Sequence, residues 1–226
     1  MNAAAFHVLF YAVIAAASPL VLTATFVVIR SERPRANGIA FLTGFLLGTA
    51  IACAIGLIIG QAAVERLGSH ATIEAALTLA LGLVLLMLGW RARGTLSKPV
   101  TARSSRGAAI MEGLRHVRPA AAFSMAGLLG FGGPKRLLLT LLAMASVSGA
   151  DYGHVVNLTL VVLYIGVASV LVWVPVGIVI VAGERAVVIL GKGEFWLTAH
   201  ARELRVWVSL GFGAVLVGDA LLRLFA

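Results

Sequence analysis

Cysteine is all but missing from this chain. Cys53 stands alone inside an apolar run, which excludes an intramolecular disulfide, a paired redox motif and a cysteine-based metal cluster. Charge is scarce too: Asp, Glu, Lys and Arg make up 12% of 226 residues, about half of what an ordinary soluble domain carries. Acids are the scarcer sign, nine against eighteen Lys and Arg, for a formal net charge of +9. The histidines, His7, His70, His116, His154 and His200, are scattered and share no metal-ligand spacing. No serine–histidine–acid set can be singled out. Nor is there a phosphate-binding loop, because Gly130-Phe131-Gly132-Gly133 runs into a proline within an apolar stretch. The expectation is a protein that is not an enzyme and holds neither metal nor cofactor.

Apolar sequence fills the space left. Hydrophobic residues account for 61% of the chain and the mean hydropathy is +1.03. Apolar runs at about 3–29, 38–60, 71–90, 120–149, 155–182 and 204–225 each reach the length of a membrane span. The first lacks a basic leader and a cleavage site and is expected to be a retained helix. The fold class predicted is an all-α membrane protein of six transmembrane helices. Its parts are a first three-helix unit over 1–90, a basic linker over 91–119 and a second three-helix unit over 120–226.

The basic residues choose a side. Three connections hold 14 of the 18: Arg30, Arg33 and Arg35; the linker's Arg91, Arg93, Lys98, Arg103, Arg106, Arg115 and Arg118; and Arg185, Lys192, Arg202 and Arg205. In a six-span path these lie on one face, so the positive-inside rule puts them in the cytoplasm and both termini outside the inner (plasma) membrane. Anionic headgroups suffice as their partner, and no nucleic acid is called for.

Two patterns carry the architecture. Gly44, Gly48, Ala52, Gly56 and Gly60 recur every fourth residue, a smooth stripe along one helix face that lets another backbone approach. It serves either the fold of one chain, the preferred reading, or the seam of a homodimer; Cys53 beside it reads as a small core residue. The second pattern is a repeat. Ser18-Pro19 in the first run and Gly133-Pro134 in the fourth both interrupt a long apolar helix, 115 residues apart. Three spans per half is an odd number, so the halves would be inverted, with proline-broken first and fourth helices facing a midplane site.

The most costly stretch is Phe131-Gly132-Gly133-Pro134-Lys135-Arg136, where a broken helix meets two cations inside an apolar run. A charge at membrane depth costs about 2.5–3.5 kcal/mol or more and marks a functional site by default. If Lys135 and Arg136 merely snorkelled from a helix end, the span left would be 137–149, short of the roughly 20 residues needed. A cation at the N-terminus of a half-helix suits an anionic group, a sulfate, phosphate or carboxylate of a lipid or small molecule. The substrate-binding candidates are Ser18, Pro19, Gly132, Gly133, Pro134, Lys135, Arg136 and Thr140. Asp219 in the last run is the candidate for ion coupling, with the alternative that it faces water near the outer end; Glu74, at the start of the third run, and Asp151, in the outer turn, are weaker candidates.

Ala17-Ser18-Pro19, then Arg33-Pro34-Arg35-Ala36-Asn37-Gly38, then Gly133-Pro134-Lys135 through Thr140, follow one another in an order that resembles the sulfolipid and peptidoglycolipid addressing proteins, a branch of the lysine-exporter superfamily. That family's fourth helix usually reads Asn-Pro-Lys-Asn; here Gly133 and Arg136 stand where the asparagines would be. The resemblance implies an inner-membrane protein that helps move a large glycolipid towards the cell envelope surface, alongside a lipid exporter and its synthesis enzymes. The wider superfamily implies an alternative, export of amino acids or small cations driven by an ion gradient. A third reading is a non-transporting scaffold between a lipid synthase and a separate exporter.

Overall fold

A computed structural model describes residues 2–67, 118–149 and 152–183, together with single positions at 83, 86, 87, 90, 210, 211, 214, 217 and 218. Seven helices are described: α1 (Asn2–Ala16), α2 (Pro19–Ile29), α3 (Pro34–Leu67), α4 (Pro119–Phe131), α5 (Pro134–Ser148), α6 (His154–Ala168) and α7 (Val170–Ala182). Proline sets the punctuation. Pro19, Pro34, Pro119 and Pro134 each open a helix, at the position where the missing N–H would have had no partner anyway. The described residues contain no strand.

Helix α3 is unbroken and is long and apolar enough over Pro34–Gln61 to cross a membrane. Three further stretches reach that length only as bent pairs: α1 with α2 at 60°, α4 with α5 at 61°, and α6 with α7 at 67°. Large apolar side chains face outward all round, among them Leu20, Ile58, Leu128, Val155 and Val181 at 66–88% exposure. Such helices fit a membrane protein, where lipid and not water meets these faces. The third break differs from expectation. The run 155–182 reads as one helix, yet it turns at Ser169, where the N–H groups of Val172 and Trp173 both point to the Ser169 carbonyl.

The small-residue stripe of α3 lies against α4 and α5. A Cβ on Gly44 would strike the Phe123 carbonyl, and one on Gly48 the Gly127 carbonyl. Further along, a Cβ on Gly56 would sit 2.9 Å from Met144 Cγ and one on Gly60 3.1 Å from Ser148 Oγ. Contacts that advance together along both segments mean that α3 runs parallel to the α4–α5 pair. The interior divides into two clusters. Val8, Tyr11, Leu139, Met144 and Tyr164 join α1, α5 and α6; Val21, Phe41, Phe45, Ala126 and Val176 join α2, α3, α4 and α7. All three breaks fall between them.

Gly44→Ala should therefore lower the thermal unfolding midpoint of the detergent-purified protein, the overpacking costing about 1–3 kcal/mol. Gly166→Ala, whose Cβ would meet nothing within 4 Å, should leave it unchanged or slightly raised.

Candidate functional site

A helix break in an apolar interior has a definite cost. Proline has no N–H to give the carbonyl four residues earlier, and that carbonyl must find another donor. For Pro19 the orphaned acceptor is Ala15; for Pro134 it is Gly130. At the third break the Val172 N–H turns to Ser169 and so leaves the Ala168 carbonyl free.

One side chain answers two of these demands. Arg136, in the first turn of α5, is 7% exposed. Its Nη1 donates to the Ala15 carbonyl at 3.4 Å, and its Nη2 donates to the Ala168 carbonyl and to Thr49 Oγ1, both at 3.3 Å. The guanidinium lies 4.6 Å from the centre of the Phe45 ring, a cation–π contact. Thr49, in the middle of α3, passes its own hydrogen to Phe45 O at 2.9 Å and to Gly130 O at 3.3 Å. The Gly166 carbonyl, the acceptor that Val170 would have used in an unbroken helix, receives the Trp173 indole N–H at 2.9 Å. Arg136 thus holds the C-terminal ends of α1 and α6, where helix dipoles favour a cation.

A second polar branch leaves from the same residue. Thr140 Oγ1 donates to the Arg136 carbonyl at 2.9 Å, which makes Tyr164 the donor in the 2.8 Å hydroxyl contact with Thr140. Gly132 ends α4 with φ +95°, and its missing Cβ leaves room for the Arg136 stem, whose Cβ and Cδ would lie 2.8 and 2.9 Å from it. Gly133 has an ordinary φ of −80°, and a Cβ there would meet nothing within 4 Å. Lys135 follows, half-buried.

The sequence candidates thus lie around the breaks in different roles. Gly132, Gly133, Pro134, Lys135, Arg136 and Thr140 form one junction. Ser18 and Pro19 start α2 at another, Ser18 without a side-chain cap. The stripe from Gly44 to Gly60, Ala52 included, lines the α3 face against α4 and α5. Asp219, Glu74 and Asp151 lie outside the described residues. Thr49, Phe45, Tyr164 and Ser169 were not singled out from sequence; a threonine or tyrosine in an apolar run carries no mark of the distant carbonyl or hydroxyl it serves.

Gly132→Ala should destabilise the fold, since it both strains a left-handed backbone and collides with the Arg136 stem; Gly133→Ala should be tolerated. Unfolding midpoints of the two purified variants, side by side with wild type, check this pair.

The family model described as Sap, sulfolipid-1-addressing protein, matches residues 8–221, nearly the whole chain. No match was found among the curated proteins or among the solved structures.

Proposed function

The chain belongs to the sulfolipid-1-addressing protein family, and from that premise we propose that it is an inner-membrane protein that helps move a lipid, of the glycolipid class, towards the cell envelope surface. Its task is movement and not covalent chemistry. The observation that carries this reading is the α4–α5 break, where the half-buried Lys135 stands at the uncapped N-terminus of α5 with open space beside Gly133. First-turn N–H groups and an ammonium together suit a negatively charged headgroup. Arg136 adds positive potential from behind, although two of its nitrogens are engaged by the protein itself.

A six-span path with inverted halves is part of the proposal. Because α3 and α4–α5 run parallel, the chain between them must cross back an odd number of times, and the apolar run at 71–90 supplies one crossing. The halves also echo each other in detail. Thr25 donates to the carbonyl of Val21 at 2.8 Å and Thr140 to that of Arg136 at 2.9 Å, matching residues at the 115-residue offset. Arg30, Arg33, Arg35 and Arg118 fall at one end of the helices, which supports a cytoplasmic assignment for that end. A lipid exporter or synthase is the expected partner, through the basic linker at 91–119.

Two experiments test this. In a deletion strain, Lys135→Ala should fail to restore surface-extractable glycolipid at wild-type abundance in the membrane; full restoration defeats the headgroup role. Purified protein in liposomes, offered labelled lipid and labelled lysine, should translocate the lipid. Lysine transport alone would favour amino-acid export, and no transport of either would favour a scaffold. For topology, single cysteines at the exposed positions Ala36 and His154 in a Cys53→Ser background should differ: the first reacting with impermeant maleimide only from the cytoplasmic side, the second only from outside.

A further inference from the structure

Helix α7 buries one face and leaves another bare. Val172, Val176 and Val179 pack against α2 and α3, and a Cβ on Gly38 of α3 would sit 3.4 Å from Val176 Cγ1. The outward face carries two rows of residues four apart, Trp173-Gly177-Val181 and Val174-Ile178-Ala182, the spacing of the ridges on a helix surface. Gly177 leaves a gap in the first ridge, where a Cβ would meet nothing within 4 Å. These six residues line an open groove of about 410 Å³. Trp173, at one end of it, is 45% exposed, and its indole N–H is already given to the Gly166 carbonyl. The groove therefore offers contact to hydrocarbon only.

Its other end is charged. Helix α7 stops at Ala182, and Gly183 follows with φ +59°. The side chain of Arg35, exposed in the first turn of α3, stands beside that helix end: a Cβ on Gly183 would lie 3.5 Å from Arg35 Nη2. Arg30, Arg33 and Arg118 fall at the same end of the molecule, with Glu32 the acid among the described residues there. From Trp173 to Gly183 the helix axis rises roughly 15 Å, the length of one leaflet's half of a roughly 30 Å hydrocarbon core. A partner helix would suit the apolar rows and make no use of the guanidinium. A soluble anion would suit the guanidinium and make no use of the groove. A lipid with a negative headgroup uses both.

We propose that α7 carries a site for an anionic phospholipid of the surrounding bilayer, its phosphate at Arg35 and one acyl chain along the groove from Ala182 to Trp173. The acyl chain packs on the indole that caps the Gly166 carbonyl, so the bound lipid braces the third break from outside. The occupant is bilayer lipid and not cargo. The site uses no residue of the α4–α5 break, and it requires only that the chain lie in a membrane, whatever becomes of the lipid-moving role.

The test uses the full chain with Trp90, Trp196 and Trp207 replaced by Phe, in phosphatidylcholine nanodiscs that contain rising fractions of phosphatidylglycerol brominated on its acyl chains. Trp173 fluorescence should be quenched more than by equally brominated phosphatidylcholine, with a relative affinity of roughly fivefold, about 1 kcal/mol for one arginine at the membrane surface. Arg35→Gln should remove this preference. Arg118→Gln, which removes the same charge from the same end of the molecule, should keep it, and so should Lys135→Ala. Gly177→Leu fills the groove with its own side chain and should lower both the quenching and the preference. Native mass spectrometry of the chain with all its tryptophans should retain phosphatidylglycerol over phosphatidylcholine, and Arg35→Gln should lose that selectivity, which guards against a misfolded single-tryptophan chain. Equal retention and equal quenching by the two lipids overturn the proposal. An Arg118→Gln loss as large as that of Arg35→Gln also overturns it, because the attraction is then a diffuse field. So does wild-type behaviour of Gly177→Leu, which puts the acyl chain elsewhere, or loss of the preference in Lys135→Ala.

Discussion

Everything in this fold turns on what happens to a carbonyl when its helix is interrupted in an apolar interior. There is little water there to take it up, so a donor must come from another part of the chain. Ala15 and Gly130 are the carbonyls orphaned by Pro19 and Pro134, and Ala168 is the one left by the turn at Ser169. Arg136 meets the first and third, and Thr49 meets the second. The breaks are tolerated because they are brought together. Each alone would leave a polar group stranded; gathered around one guanidinium they become a connected network. The cation is likewise tolerated because the helix ends present it with acceptors and with the negative end of two dipoles.

The glycine stripe belongs to this argument as much as to packing. Thr49 reaches Gly130 O only because the backbones of α3 and α4 approach closely. A Cβ on Gly48 or on Gly130 would strike carbonyls of the facing helix, Gly127 in one direction and Phe45 in the other. Small residues on both sides set the separation, and the separation sets the hydrogen bond. The unbroken α3 then serves as the straight member against which bent pairs are aligned, with Phe45 and Thr49 one turn apart and both facing the guanidinium.

The sequence carries signals for some of these features and none for others. Two breaks were visible because proline announces them: it cannot donate, and it clashes with the preceding turn. The third was not. Ser169 lies in an apolar run with no proline at the turn, while Pro175, which does look like a breaker, sits inside α7 and leaves it intact. The stripe was visible because its period of four needs no knowledge of the partner. That partner, and the service of Thr49 to Gly130 O across 81 positions, come only from the folded chain. Lys135 and Arg136 looked alike as adjacent cations at a break. Their directions differ because consecutive helical residues point about 100° apart: one is half-buried at the opening, the other turned inward onto three helices.

The same contrast separates the two proline breaks. At the 115-residue offset Ala15 falls opposite Gly130 and Thr25 opposite Thr140, so each proline break orphans the carbonyl four residues before it and is followed by a buried threonine. Their answers are not the same. The Gly130 carbonyl is met by a neutral hydroxyl from α3, and the Ala15 carbonyl by a charged side chain from α5. Position 21, the counterpart of 136, is a valine and can offer nothing in return. The cation therefore comes from the second break alone, which cannot open without releasing acceptors at the first and third. A motion that separates α5 from α1 must either carry Arg136 with its carbonyls or give them another donor. Coupling between the breaks follows from hydrogen-bond accounting alone, through a shared side chain.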